Sequence, residues 1–423
     1  MRLNALGALR KGVEEANLAP HIGIAMGRGL KLFTEYLPHH YPAFAEQFRA
    51  ATDLTVEQYL GCATALCMFI QQRGPDGPLF VAHTVAASTT YKDIFPKFFS
   101  LESQTPEQLR ISFWRDFDKA GYKVLRERPI MVAADGRGMI LDPTFFIERI
   151  STGALFHVAK GKGRGDSMRI FSAFGDAFED YVAETLGRMY PRRPGLIDRV
   201  MFQVVGSDAH GKGFEIDAVL LDIEQAVVFE AKAVFLREEA VTSANLVDFV
   251  AALNASYGAS VDGTERDKGV AQLAWSIGAI VRDEWVGEHG ELAGLSNVYP
   301  VLVAHDTRLD SPALGQFLER EFRTLLGPVP DGKRVAPLTV MTVQDLENLE
   351  QSIMDFRLVD LLSDYSRAFP DRLRSLHNYI AFSDYASKIR LNDFLLDASI
   401  AMYDVLLRDL FTVSSHEDKG TGQ

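Results

Sequence analysis

The sequence predicts an α/β protein: a mixed central sheet flanked by helices, in the order helix, three strands, helix, strand, with a mainly helical domain before it and a helical region after it. Three observations predict this. Apolar residues recur at helical spacing through the first 120 residues and again after Gln344. Between about 170 and 345, such segments alternate with short β-branched runs, among them Ala226-Val227-Val228 and Val301-Leu302-Val303. The length, 423 residues, exceeds one typical domain. We therefore expect an accessory domain at 1–160 ending in a β-hairpin, a core at 161–345, a helical region at 346–413 and a disordered tail at 414–423.

In the first domain, Thr55-Val56-Glu57-Gln58 has capping-box spacing, and Tyr59, Leu60, Ala63, Cys67 and Ile70 follow at helical intervals. Thr105-Pro106-Glu107-Gln108 repeats the signal with proline at the first helical position, and leads into an apolar stripe of Leu109, Phe113, Trp114 and Phe117. Two strands are expected around Asp135-Gly136-Arg137-Gly138, then a short helix through Phe145–Ile150. The basic, glycine-rich KGKGRGDSMR follows, with Lys160, Lys162 and Arg164. It reads as a phosphate-cradling loop, a linker contacting a nucleic-acid backbone, or a plain hinge; it matches neither the P-loop nor the dinucleotide fingerprint.

From 170 we expect a helix over 171–189, strands near 200–206, 215–222 and 226–234, and a helical insertion over 239–257. A helix at 267–283, a strand at 298–304, a helix opened by Ser311-Pro312, a strand at 336–343 and a helix from Gln344 complete the core.

Composition narrows the function. The hydrophobic share is 47% and the charged share 24%, ordinary for a soluble globular chain. No apolar run approaches the ~20 residues that span a bilayer, and the N-terminus lacks a signal-peptide pattern, so no membrane association and a cytoplasmic location are expected. The two cysteines, Cys62 and Cys67, sit in an apolar helical stretch and read as packing. No HExxH or Cys/His cluster suggests zinc. A net charge of −13 speaks against non-specific coating of nucleic acid, though not against a local basic groove.

One stretch carries chemistry: GKGFEIDAVLLDIEQAVVFEAKAVF. Two apolar strands flank a polar turn near Ile223-Glu224. A hairpin centred there sets Asp217 opposite Glu230, with Cβ atoms about 4.5–5.5 Å apart. Glu230 and Lys232, two apart, share a face. The second strand is otherwise apolar on both faces, so these charges incur desolvation and the carboxylates repel. A divalent cation resolves that repulsion, and Mg²⁺ accepts one or two carboxylates plus waters. The alternative is an exposed salt-bridge ladder on an edge strand.

On these residues the segment from 170 to 345 resembles the PD-(D/E)XK nuclease superfamily, the restriction-endonuclease-like fold. Gly175-Asp176-Ala177-Phe178-Glu179-Asp180-Tyr181-Val182 looks like that family's GxxFExxV helix, and Val270-Ala271-Gln272-Leu273 looks like its second helix with a glutamine near the lysine. The family's proline is absent, since Ile216 precedes Asp217, and the insertion after Lys232 is long. The resemblance implies a Mg²⁺-dependent endonuclease, with Mn²⁺ able to substitute. Asp217, Glu230 and the Ala231 main-chain carbonyl would bind metal, Glu179 would join the metal site by holding a metal-bound water or a second ion, Lys232 would act on the attacking water, and Gln272 would position Lys232 or the substrate. Glu215, on the face of Asp217, is an auxiliary acid or a rim charge. Lys212, His210, Arg192 and Arg193 are substrate contacts or simple turn residues. DNA is the expected substrate, with a ribonuclease, a structure-specific nickase or a catalytically silent binding fold as alternatives. A homo-oligomer, a partner protein on the helical regions and a role in restriction or anti-phage defence are implied by analogy of fold.

Overall fold

A computed structural model describes residues 22–71, 79–87, 91–115, 122–191, 199–236, 245–258 and 269–401. It is a mixed α/β structure with two compact units, one of 20–177 with 393 onward, the other of 178–237 and 245–392. The division falls at Ala177/Phe178 rather than at 160/161, inside a helix whose composition does not change there. Residues 346–392 belong with the core instead of standing apart.

The first unit packs α1 (Ile22–Leu30), α2 (Phe44–Thr52), α3 (Val56–Gln71), β1 (Leu79–Val81), α4 (Phe95–Glu102), β2 (Ser103–Gln104), α5 (Pro106–Arg115), β3 (Ile130–Val132), β4 (Arg137–Ile140) and α6 (Pro143–Ala159). Both capping boxes form: the Thr55 and Thr105 amides donate to Gln58 and Gln108, whose amides donate back to the threonine hydroxyls. Cys62 is buried and unbridged; the Cys67 side chain lies outside the described residues. The helix expected over Phe145–Ile150 runs from Pro143 to Ala159, started by the Asp142 carboxylate accepting the Phe145 amide. In α5 the apolar stripe is not buried. Phe113 and Trp114 are exposed, so amphipathic spacing alone did not decide burial there. Phe117 lies outside the described residues.

The interior of this unit holds ions. Arg149 on α6 makes two parallel hydrogen bonds to Glu102 at the end of α4, 2.9 and 2.8 Å, and Tyr59 Oη donates to the same carboxylate at 2.8 Å. His157 Nε2 lies 2.6 Å from Glu102 Oε1. Both carboxylate oxygens of Glu102 are thus hydrogen-bonded, which is what a charged group there requires.

Long α7 (Arg164–Met189) follows a short turn over 160–163. Arg164 already belongs to the helix, and Lys160, Lys162 and Arg164 are exposed.

The second unit contains the rest of α7, β5 (Arg199–Ser207), β6 (Gly213–Asp222), β7 (Gln225–Lys232), α8 (Leu246–Tyr257), α9 (Val270–Val281), β8 (Val286–Gly287), β9 (Asn297–Ala304), α10 (Pro312–Leu326), β10 (Arg334–Val335), β11 (Thr339–Thr342), α11 (Val343–Glu350), α12 (Leu358–Ala368) and α13 (Leu376–Ala381). Its sheet runs β10-β9-β7-β6-β5-β8, with β11 also on β9. The β5-β6-β7 meander is antiparallel, while β7, β10 and β11 run parallel to β9. Parallel pairing buries β7 and β9 on both faces, matching their nearly continuous apolar sequence. Among the described residues, no helix is long and apolar enough to cross a membrane.

Candidate active site

Asp222 pairs with Gln225 across a two-residue turn, and the register continues through Ala218 opposite Phe229. Carried one step further, the same register would set Asp217 opposite Glu230, the arrangement that the hairpin argument expects. Main-chain pairing stops there. Asp217 Oδ2 instead accepts the Ala231 amide at 2.7 Å, so a side chain completes the ladder and the carboxylate is held at its end.

Lys232 Nζ lies 2.7 Å from Glu230 Oε1 and 3.3 Å from Glu179 Oε1. Glu179 is placed by its neighbour: the Phe178 ring meets the His305 ring edge-on at 5.4 Å, and the His305 amide donates to the Lys232 carbonyl at 3.1 Å. Helix α7 is thus fastened at the C-terminal end of β7. Glu230 is 1% exposed, and its Oε1, though beside the ammonium, has no well-aligned hydrogen bond.

The electrostatics follow from burial. Desolvation pushes the Glu230 carboxyl well above its usual range, the Asp217 charge adds to this, and Lys232 opposes it. Asp217 is raised for the same first reason, against the pull of Lys232 and the Ala231 amide. Burial alone would lower the Lys232 ammonium, but Glu230, Asp217 and Glu179 together outweigh it and raise it.

The other expected residues divide. Glu215 is exposed on the face of Asp217 and raises its carboxyl electrostatically, without a hydrogen bond to it. Gln272 makes no hydrogen bond to Lys232; its Oε1 accepts the Gly269 amide at 3.0 Å and so caps the first turn of α9. The glycine three residues earlier, at φ +50°, was the available signal for that role. His210 and Lys212 lie in a turn tied by Asp208, whose carboxylate accepts both their amides. Lys212 also stacks on the Trp275 ring at 4.2 Å. Arg192 and Arg193 lie outside the described residues. Lys160, Lys162 and Arg164 belong to the other unit.

One neighbour went unnoticed in the sequence. Gln203 on β5 stands opposite Asp217, at the single rung that the β5–β6 pairing skips, between Phe202–Ala218 and Val204–Ile216. Its φ is +49°. A lone polar residue inside Val200–Val205 was the only trace of it.

Among the described residues no group of three His, Cys, Asp or Glu side chains is arranged as an ion site. The donors present are nevertheless of the chemical kind that a hard cation takes. Glu230 keeps a buried oxygen without an aligned donor, and Asp217 brings a second carboxylate along the same register. Two carboxylates and a carbonyl form an oxygen set suited to Mg²⁺ or Mn²⁺. No family model, curated protein or solved structure matches the chain.

Proposed function

We propose that this protein is a Mg²⁺-dependent endonuclease, of the PD-(D/E)XK kind, hydrolysing phosphodiester bonds of DNA. The observation that carries this reading is the convergence of Asp217, Glu230, Lys232 and Glu179 at the point where β6 and β7 stop pairing. The succession of α7, the β5-β6-β7 meander, α9 and β9 supports it, being the order the family resemblance implies.

Asp217, Glu230 and the Ala231 carbonyl would hold the ion, with Mn²⁺ as a substitute. When bound, the cation supplies Lewis acidity at the scissile phosphate and lowers the pKa of the attacking water. Lys232 would turn its ammonium to a phosphoryl oxygen and offset the charge that grows there. Glu179, the most exposed of the four, would orient Lys232 and accept a hydrogen bond from the incoming water.

The test is a cleavage panel of supercoiled plasmid, linear duplex, single-stranded DNA and RNA with Mg²⁺ or Mn²⁺. EDTA should stop cleavage, and Asp217→Ala, Glu230→Ala and Lys232→Ala should each abolish it. Cleavage that persists in all three variants rules the site out.

A further inference from the structure

We propose that Gln203 is a substrate-positioning residue of this site, its amide hydrogen-bonding a phosphodiester oxygen beside the scissile bond; this rests on the nuclease reading above. Three observations converge on it. Aligned residues of neighbouring strands share a face, so Gln203, Asp217 and Glu230 form one row across β5, β6 and β7. The burial pattern agrees. Along that face Met201 and Val219 are buried, Gln203 is exposed beside half-buried Asp217, and Val205 and Glu215 are exposed. The face therefore opens to solvent at Gln203.

Second, Gln203 holds φ +49° in mid-strand. Glycine adopts that conformation freely and other residues at a cost, so strand architecture alone would favour glycine. Strained backbone of this sort recurs at functional sites, where the surroundings enforce it. Third, the rung it interrupts is the one at Asp217, and pairing resumes in unchanged register on the other side. The distortion inserts no residue and shifts no strand; its visible consequence is local, at the carboxylate. A neutral amide suits this place, because it can donate to a phosphate without adding a cation that would compete for Asp217.

The test compares wild type with Gln203→Gly, Gln203→Ala and Gln203→Asn. Gln203→Gly relieves strain and should raise Tm by about 2 °C, while kcat/KM for the best substrate falls about tenfold. Binding of the same nucleic acid in Ca²⁺, where cleavage is suppressed, should weaken in parallel. Gln203→Asn keeps an amide and tolerates positive φ, so it should recover part of the loss; Gln203→Ala should not. A purely architectural glutamine would make activity follow stability, so a Gln203→Gly enzyme that cleaves and binds like wild type overturns the proposal. Wild type that neither cleaves nor binds any nucleic acid overturns the nuclease reading, and this inference with it.

Discussion

Asp217 Oδ2 accepts the Ala231 amide at 2.7 Å, taking the place of the main-chain rung that β6 and β7 no longer form. Under the proposed function the same carboxylate has a structural duty and a chemical one. Asp217→Asn keeps an acceptor for the amide but removes the charge, whereas Asp217→Ala removes both. Leaving a buried amide unsatisfied costs about 1–3 kcal/mol. Asp217→Ala should thus be less stable than Asp217→Asn by roughly that amount in urea unfolding, while both lose cleavage. Equal stability would mean the hydrogen bond contributes nothing.

Metal should change the acid–base behaviour of the site. The carboxyls of Asp217 and Glu230 are raised by burial, so in the folded protein they hold protons that the unfolded chain releases. Their contribution to stability is fully present below the ordinary carboxylate range and is lost as pH rises through the elevated folded values. Without metal, stability should decline across this range towards neutral pH; Mg²⁺ should restore it, by about 2.7 kcal/mol at a hundredfold excess over Kd. Melting curves with and without Mg²⁺ from pH 4 to 8 check this, with Glu230→Gln as control. Equal Mg²⁺ stabilisation of wild type and Glu230→Gln would place the ion elsewhere.

Under the proposed function, Lys232 sits where an incoming ion would compete with it for Glu230. Its ammonium contacts Glu230 and Glu179, and its side chain is 14% exposed. A cation at Glu230 repels it, so Mg²⁺ should release Lys232 towards solvent. Acylation of Lys232, followed by mass spectrometry with and without Mg²⁺, should rise several-fold with metal. No change would mean the ion pair survives metal binding.

How legible this site was follows from the range of the forces involved. The Asp217–Glu230 register was readable because one polar turn between two apolar strands determines it locally. Glu179 entered only through the resemblance of its helix to the GxxFExxV pattern, and its place beside Lys232 depends on the helix meeting the end of β7. Gln272 was open to two readings, since a glutamine in the first turn serves a cap as readily as a site; in the structure its Oε1 takes the Gly269 amide. Gln203 was invisible because a φ value and a skipped rung belong to the assembled sheet. The Glu102–Arg149 pair, 47 residues apart, depends on α4 and α6 meeting, and nothing local announces it.

That pair makes the first unit acid-sensitive. Burial alone would raise Glu102, but Arg149 and His157 outweigh it and hold the carboxyl at about 2. A depressed folded value means the stabilisation is present above the unfolded carboxylate pKa and is lost as pH falls towards 2. Near-UV circular dichroism should show this unit losing tertiary structure over that interval. Glu102→Gln should cost about 3–5 kcal/mol at neutral pH, because it strands the Arg149 guanidinium in the core. A neutral outcome would show that the network relaxes or admits water.

The hairpin turn offers the opposite case, a position where substitution should stabilise. Ile223 has φ +56° and is 70% exposed. A β-branched side chain is poorly suited to that region, because its Cβ crowds the following carbonyl at a cost of roughly 1–2 kcal/mol. Exposure means little packing is lost on replacement. Ile223→Asn should therefore raise stability by about 1 kcal/mol, and Ile223→Gly by less, since glycine also loosens the unfolded chain. Because the turn sets the register that aligns Asp217 with Glu230, neither variant should shift the pairing, and metal-dependent stabilisation should stay at its wild-type level. A destabilised Ile223→Asn would show that the isoleucine makes apolar contacts that outweigh its backbone strain.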